Sequence, residues 1–184
     1  HTDLDRRALK RSAVRGYDQG VLAAERALPF ADGSFDLVCV VDTLHSTADE
    51  HGALREILRV LRPGGIVFAS VPAYPWLLAR REREAGARRR YTAPHVRHLF
   101  GRAGFKLERS THANALLFPL IAGAKLALRL AEMLEIPVGA PSKRRTRVPW
   151  PWPFNSILYG ALSLELLVSK RFDLPFGHSI AAMV

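Results

Sequence analysis

The sequence of 184 residues predicts an α/β fold in which helices flank a mainly parallel sheet. Two observations support this prediction. The run at 35–41 is largely apolar and rich in valine, so we expect a central strand that is buried on both faces. An amphipathic stretch and a second apolar run at 65–73 follow it, which is the pattern of a right-handed βαβ unit.

The first third of the chain is expected to hold two helices around that strand. Residues 4–15 have helix-forming composition with Asp5 as the expected N-cap, and a short strand is expected at 21–23. The second helix covers about 49–61, because leucine and isoleucine recur along one face at i, i+3, i+4 and i+7. Pro63 begins a Pro-Gly-Gly sequence that ends this helix.

Further along the chain the alternation of strand and helix becomes less regular. A helix is expected from Thr92 onward, followed by a strand at 105–109. Apolar helices are expected at 115–134 and 156–169, and the last strand is expected in the C-terminal "GHSIAAMV". We interpret the whole chain, 1–184, as a single domain in which 115–170 is a helical insertion that covers the sheet.

Composition narrows the classes of function. Cys39 is the single cysteine, so a disulfide framework and a cysteine metal cluster are excluded, and a reducing, cytoplasmic setting is expected. The net charge of +10 leaves nucleic acid, an anionic membrane and a basic proteome open as explanations. Because no stacking motif of the usual nucleic-acid modules occurs, we expect no nucleic-acid partner. The histidine spacings match no metal site, and we expect no bound metal.

Polar residues follow the predicted strands, where ligands bind in an open parallel sheet. Asp3 stands at the end of a short N-terminal strand, and a solvated N-terminal acid is the alternative interpretation. The pair Ala24 and Glu25 follows the next strand. The segments 42–45 and 72–76 follow the two apolar strands. These positions are the candidates for binding and catalysis.

Three blocks resemble the methyltransferase type 11 family of class I S-adenosylmethionine-dependent methyltransferases. They are "TDLDRRAL", "AERALPFADGSFDLVCVVDTLHS" and "ALREILRVLRPGGIVFASVPA", in the order and about the spacing of the family. The later "VPAYPW", "RRRYT", "NALLFP" and "DLPFGHSI" resemble a subgroup with apolar C-terminal helices. The resemblance implies a Rossmann-like sheet, mainly parallel with one antiparallel strand near the C-terminal edge, and S-adenosylmethionine as the cofactor.

The resemblance also implies which residues bind the cofactor. They are Asp3 at the ribose, Leu4 beside the adenine, Ala24 and Glu25 at the adenine edge, and Val41 and Asp42 at the methionine end. Alanine replaces the acid that the family usually has at the adenine edge. The glycine-rich loop of the family does not occur in this sequence, so we expect that the first strand and first helix of that fold are missing.

His45 is the candidate catalytic base, because imidazole titrates near neutrality and this residue follows a strand end. A surface histidine at the start of a helix is the alternative. The arginine-rich segment 79–92 is interpreted as a lid that binds an anionic acceptor, with an exposed charged helix as the alternative. The candidate substrate-binding residues are Tyr74, Trp76, Arg89, Arg90 and Tyr91.

We therefore expect methyl transfer from S-adenosylmethionine to a small-molecule or lipid-linked acceptor, with O-methylation favoured over N- or C-methylation. The alternative is a non-catalytic binding or membrane-associating module that keeps the fold, since the glycine-rich loop is missing. The apolar helices and the basic "SKRRTR" leave two further partners open. One is peripheral contact with an anionic membrane at its inner face, and the other is a homodimer.

Overall fold

The computed structural model describes residues 2–3, 14, 20–134 and 152–184. The helix expected at 4–15, the predicted cofactor contact Leu4 and the basic "SKRRTR" segment lie outside the described residues. Among the described residues, no helix is both long enough and apolar enough to cross a membrane.

The described strands form two sheets. The shorter sheet is a parallel pair of two-residue strands, and the larger sheet has four strands in the order β3, β4, β6, β5. In the larger sheet β3 and β4 are parallel, and β6 runs antiparallel to both β4 and β5. This confirms a Rossmann-like sheet with one antiparallel strand near the C-terminal edge. The strands are β1 (Thr2–Asp3), β2 (Val21–Leu22), β3 (Phe35–Val41), β4 (Leu61–Pro72), β5 (Arg109–Ala113) and β6 (Ser179–Met183).

The described helices fall into two groups. The first helix lies between β3 and β4 in the sequence and the next two lie between β4 and β5, whereas the last two lie between β5 and β6. A short 3-10 helix, Pro75–Leu77, follows β4. The α-helices are α1 (Glu50–Val60), α2 (Arg80–Glu84), α3 (Ala93–Arg102), α4 (Phe118–Met133) and α5 (Trp152–Ser169).

Helices α1 and α3 form where capping and periodicity predict them. The Asp49 side chain accepts a hydrogen bond from the Gly52 N–H at 2.9 Å, which satisfies one free donor of the first turn of α1. Thr92 caps α3 in the same way. Both helices bury their apolar residues against one face of the sheet, and Leu54 and Phe100 are completely buried there.

The other face of β3 is exposed, so the prediction of burial on both faces was wrong. Val40 is buried in the core, whereas Leu37 and Val41 are each 54% exposed. The physical reason is that successive side chains of a strand point to opposite faces, and in the described chain helices cover only one of them. The apolar residues Ile66 and Phe68 of β4 are also partly exposed.

Two strand boundaries differ from those expected. β4 begins at Leu61 and includes the Pro-Gly-Gly sequence, and its pairing with β3 is irregular at that end. The strand expected at 105–109 lies instead at Arg109–Ala113. Phe105 turns into the core, where its ring centroid lies 5.7 Å from that of Phe100 and its N–H donates to the Phe100 carbonyl. Pairing with β6 therefore starts four residues later.

Candidate functional site

Backbone strain marks the carboxyl ends of three parallel strands. Among the described residues, three non-glycine residues have positive φ. They are Asp42 (47°) directly after β3, Tyr74 (62°) two residues after β4, and Asn114 (60°) directly after β5. Left-handed backbone is uncommon outside glycine, and it concentrates at binding and catalytic sites. This edge of the sheet is therefore the first place to look for a site.

A cavity of about 370 Å³ lies at this edge. Asp42 and Asn114 line it, together with His45 from the loop after β3 and His178 and Ser179 at the start of β6. The antiparallel β6 contributes because its first residues lie beside the last residues of β4 and β5. Pro72 at the end of β4 and Leu78 directly after the 3-10 helix add to the wall. The rest comes from α2 and the segment after it: Glu82, Ala85, Ala87, Arg89 and Arg90.

The arginine-rich segment holds the loop that carries His45. The backbone N–H groups of Arg88 and Arg89 donate to the His45 carbonyl at 2.8 and 3.3 Å. The Arg89 guanidinium donates to the Thr47 carbonyl at 3.2 Å and to the Glu50 carboxylate. Both ends of the loop are thus fixed by a segment about forty residues away in sequence.

Glu50 is a buried acid whose carboxylate accepts hydrogen bonds from two side chains. Besides the Arg89 guanidinium it accepts a hydrogen bond from the Tyr91 hydroxyl. Tyr91 has no exposed surface, and burial, assisted by the bond to Glu50, raises the pKa of its hydroxyl well above the ordinary value. Tyr91 supports the wall of the cavity and presents no surface to a ligand in this structure.

The second ion pair of the wall joins Arg90 to Glu82. Arg90 is 4% exposed, and its guanidinium donates to both Glu82 carboxylate oxygens at 3.0 and 2.7 Å and to the Ala73 carbonyl at 2.8 Å. Lys125 of α4 donates to the same carboxylate. Burial raises the pKa of Glu82, but hydrogen bonds from Arg90 and Lys125 outweigh this and hold the pKa at about 2.

His178 is the neutral imidazole of the cavity. Its Nε2 lies 3.4 Å from Nη2 of Arg90, and because a guanidinium only donates, Nε2 accepts and Nδ1 carries the proton. Burial lowers the pKa of His178, and the positive charges of Arg90 and Lys125 lower it further. A neutral histidine therefore faces the cavity near neutral pH.

This depressed pKa predicts a pH dependence of stability. Below the ordinary value of 6.5 the unfolded chain binds a proton at His178 that the folded chain does not, so the free energy of unfolding rises with pH up to that value. We expect His178→Gln to remove this part of the rise of the free energy of unfolding with pH, measured by urea unfolding at several pH values below 6.5. The control His98→Gln changes an exposed histidine of α3 and should keep the slope of the unmodified protein. An unchanged slope in His178→Gln would contradict the assignment.

His45 keeps one ring nitrogen without a partner. Its Nδ1 is buried and forms no hydrogen bond to any described residue. Buried polar atoms are nearly always paired, and exceptions occur where a ligand, a water or a catalytic step completes them. His45 lines the large cavity, so this orphaned nitrogen fits a role in binding or proton transfer.

A smaller cavity of about 90 Å³ lies between the turn after β2 and the end of β3. Leu28, Val40 and Leu44 give it apolar walls, while Glu25 and Thr43 supply polar atoms. Apolar walls with a few polar atoms fit a flat aromatic base such as adenine. Glu25, the predicted adenine contact, is one of the residues that line this cavity.

The other predicted cofactor contacts within the described residues do not line this smaller cavity. Asp3 lies in β1, paired with Leu22 of β2. Ala24 is exposed and accepts a backbone hydrogen bond from Ala27 at 3.0 Å. Val41 is half exposed on the uncovered face of β3. Asp42 is the predicted cofactor contact that lines the large cavity.

Two predicted substrate contacts lie in an aromatic cluster beside the cavity residues. Tyr74 stacks on His112 with ring centroids 5.8 Å apart. The ring centroid of Phe118, in α4, lies 5.0 Å from that of Tyr74. Trp76 is 48% exposed, and its ring centroid lies 6.0 Å from that of Tyr74. Neither Tyr74 nor Trp76 lines the large cavity, whereas the predicted contacts Arg89 and Arg90 do.

Among the polar residues of the cavity, sequence reasoning missed Glu82, Asn114, His178 and Ser179. Asn114 opens "NALLFP" and His178 lies in "GHSI", two motifs that were noted only for their resemblance to a subgroup. A signal existed for Asn114, which precedes the predicted helix 115–134, and for His178, which lies in the predicted last strand, but Glu82 adjoins no predicted strand or helix end. Within the part of the chain that the structure describes, no cluster of histidine, cysteine, aspartate and glutamate could hold a metal ion.

Sequence comparison finds relatives that match part of the chain. Residues 1–69 match the family model of the methyltransferase domain. The mitochondrial arginine-hydroxylase NDUFAF5 of Danio rerio is 35% identical over 106 residues, which cover 48% of this chain and 32% of that protein. The ubiquinone/menaquinone biosynthesis C-methyltransferase UbiE of Xanthomonas oryzae is 48% identical over 59 residues, which cover 32% of this chain and 23% of UbiE. The chain thus spans a third or less of these curated relatives.

Structural comparison extends the similarity to the whole chain. A chain of the solved complex between the Haloferax volcanii Trm112 methyltransferase activator and a methyltransferase matches with a TM-score of 0.57 and 19% identity. The match covers 99% of this chain and 68% of the solved one, and at this identity it shows the fold. The match of residues 1–69 to the methyltransferase domain implies S-adenosylmethionine as the cofactor. The chain therefore has the fold of the class I S-adenosylmethionine-dependent methyltransferases, and its residues 1–69 match their methyltransferase domain.

Proposed function

We propose that this chain transfers a methyl group from S-adenosylmethionine to a small-molecule or lipid-linked acceptor that binds in the large cavity. One observation supports the proposal most strongly. Two residues in left-handed backbone, Asp42 and Asn114, and two histidines, His45 and His178, line a single cavity at the carboxyl ends of the strands. The match to the methyltransferase domain agrees with this chemistry.

The cofactor is assigned to the space between the turn after β2 and the end of β3. When bound, S-adenosylmethionine supplies a methyl group on a positively charged sulfur. The smaller cavity accepts the adenine beside Glu25, and Asp42 accepts hydrogen bonds from the ammonium group at the methionine end. Asp3, Leu4, Ala24 and Val41 complete this proposed set.

The acceptor is assigned to the opposite part of the cavity, between His45 and His178. We assign His45 as the base that removes the proton of an acceptor hydroxyl, since its Nδ1 is buried without a partner. His178 stays neutral, and its Nδ1–H, which lies 3.5 Å from Ser179 Oγ, positions the acceptor together with that hydroxyl. O-methylation is therefore favoured, because a hydroxyl must lose a proton when it becomes an ether.

We propose that the arginines of the wall contribute only a part of the binding of the acceptor. Arg89 and Arg90 line the cavity, but Glu50 and Glu82 already accept hydrogen bonds from their guanidinium groups. Glu82 faces two cations, Arg90 and Lys125, so this corner of the cavity keeps a positive excess. An acceptor oxygen that gains negative charge would be stabilised there. Tyr74 and Trp76 remain proposed contacts for an apolar part of the acceptor.

The test combines binding with transfer of a label. We expect calorimetry to show saturable binding of S-adenosylmethionine, and the tritiated methyl group to enter a product when cell extracts of small molecules and lipids are supplied. His45→Gln should reduce label incorporation at least about a hundredfold while cofactor affinity stays within about twofold. His51→Gln, a nearby change on α1, is the matched control and should retain transfer.

A second candidate function is a non-catalytic module that keeps this fold. The exposed apolar helices α4 and α5 favour it, because such surfaces are typical of binding proteins. Failure to bind S-adenosylmethionine at millimolar concentration would select this candidate and reject the enzyme. We place either function in the reducing cytoplasm, supported by the unpaired Cys39.

A further inference from the structure

We propose that α4 and α5 form a surface that docks onto an anionic lipid bilayer. Large apolar side chains are exposed along both helices. On α4 and just after it, Leu120, Met133 and Leu134 are 74%, 79% and 69% exposed. On α5, Tyr159, Leu166 and Leu167 are 76%, 62% and 61% exposed. These six residues define the docking surface, and monomeric soluble proteins rarely leave so much apolar area in contact with water.

Three charged residues of these helices form hydrogen bonds with other parts of the protein. Lys125 donates to the Leu77 carbonyl at 3.2 Å and to Glu82, and Arg129 donates to the Trp76 carbonyl at 2.6 Å. Glu165, the single acid of α5, is buried and accepts a hydrogen bond from the Leu116 N–H at 3.1 Å. A helix that faces water has the reverse arrangement, with charges outside and leucines inside. On α4 and α5 large apolar side chains face the solvent instead, which indicates that their exposed surface suits an apolar partner.

The positive charges beside the docking surface favour an anionic lipid bilayer as its partner. Lys170 and Arg171 directly follow α5 and are exposed, so cations stand at the edge of the docking surface. The chain carries 27 lysine and arginine residues against 17 acids, a net charge of +10. Anionic headgroups complement that charge while the acyl region accepts the leucines. A second copy of the chain would instead bring two surfaces of like charge together. This inference does not depend on the proposed methyl transfer.

The experiment measures sedimentation of the unmodified chain with lipid vesicles. We expect it to bind vesicles of equal parts phosphatidylglycerol and phosphatidylcholine at low salt, and to bind pure phosphatidylcholine at least about tenfold more weakly. Raising the salt should release the protein, because screening weakens the attraction of the headgroups. Absence of binding to phosphatidylglycerol vesicles at low salt overturns the proposal.

Two sets of variants locate the binding surface. Leu166→Glu combined with Leu167→Glu should lower the vesicle-bound fraction at least about tenfold, since each introduces a charge at an exposed apolar site. The matched control is Leu58→Glu, which changes an exposed leucine of α1 and should leave binding unchanged. Should the double variant fail to fold, Lys170→Glu with Arg171→Glu provides the second test and should weaken binding several-fold. Equal binding by the folded variants and the control overturns the proposal. It is likewise overturned if these leucines mediate a dimer, seen by sedimentation velocity, and leave vesicle binding unchanged.

Discussion

Glu82→Gln should lower the free energy of unfolding by about 2 kcal/mol near neutral pH. The substitution keeps the shape of the side chain but removes the charge that Arg90 and Lys125 share. Arg90 is almost completely buried, and breaking a fully buried pair costs about 3–5 kcal/mol. Glu82 is itself about 30% exposed, so solvent screening reduces that value.

The sign of the pH dependence follows from the depressed pKa of Glu82. Its pKa lies at about 2 in the folded protein against an ordinary 4.5, so its stabilising contribution is fully present above 4.5. It is lost as the pH falls from 4.5 towards 2, where the folded carboxylate also becomes protonated. Urea unfolding of the unmodified protein and Glu82→Gln should therefore give a difference that shrinks across this window.

Glu84→Gln is the matched control for this experiment. Glu84 lies in the same short helix, α2, and pairs with Arg80 on the surface, where both side chains are at least 60% exposed. Exposed pairs of this spacing contribute only about 0.3–0.5 kcal/mol. Equal destabilisation by Glu82→Gln and Glu84→Gln at neutral pH would show that burial of Arg90 does not matter.

The βαβ unit could be predicted because local patterns encode it. The apolar runs and the helical spacing of leucine and isoleucine define β3, α1 and β4, while Asp49 and Thr92 cap their helices through bonds within four residues. The shift of β5 could not be predicted in this way. Phe105 has the composition of a strand residue, and only its packing against Phe100 in the folded core removes it from the strand.

The site could be placed at the strand ends, but the roles of its arginines could not be assigned from sequence. Arg88, Arg89 and Arg90 form one run that is also typical of a solvated surface. Arg90 is buried because Glu82 and Ala73 accept its hydrogen bonds, and Lys125, which completes that cluster, lies 43 residues from Glu82. Such pairing depends on tertiary contacts, which a local pattern does not contain.

Asp42→Gly should leave the fold about as stable as before while weakening the binding of S-adenosylmethionine by about tenfold to a hundredfold. Asp42 holds φ at 47°, a conformation that costs a residue with a Cβ about 1–2 kcal/mol. Glycine removes that strain, and its larger backbone entropy in the unfolded chain offsets about 0.5–1 kcal/mol of the gain. Cofactor affinity falls because a charge-assisted hydrogen bond of about 1.5–3 kcal/mol is lost from the proposed site.

Two further variants separate the effect of the backbone conformation at Asp42 from the effect of its negative charge. Asp42→Asn tolerates the same φ and should keep stability, yet it should lose affinity as Asp42→Gly does, because only the carboxylate is removed. Asp36→Gly changes an exposed aspartate of the same strand, and it should show the opposite pattern: about 1 kcal/mol less stability and unchanged affinity. Calorimetry with S-adenosylmethionine and urea unfolding measure both quantities on each variant. If Asp42→Gly and Asp42→Asn bind the cofactor as tightly as the unmodified protein, Asp42 has no place in the cofactor site, and the strain at the end of β3 must serve the acceptor side of the cavity instead.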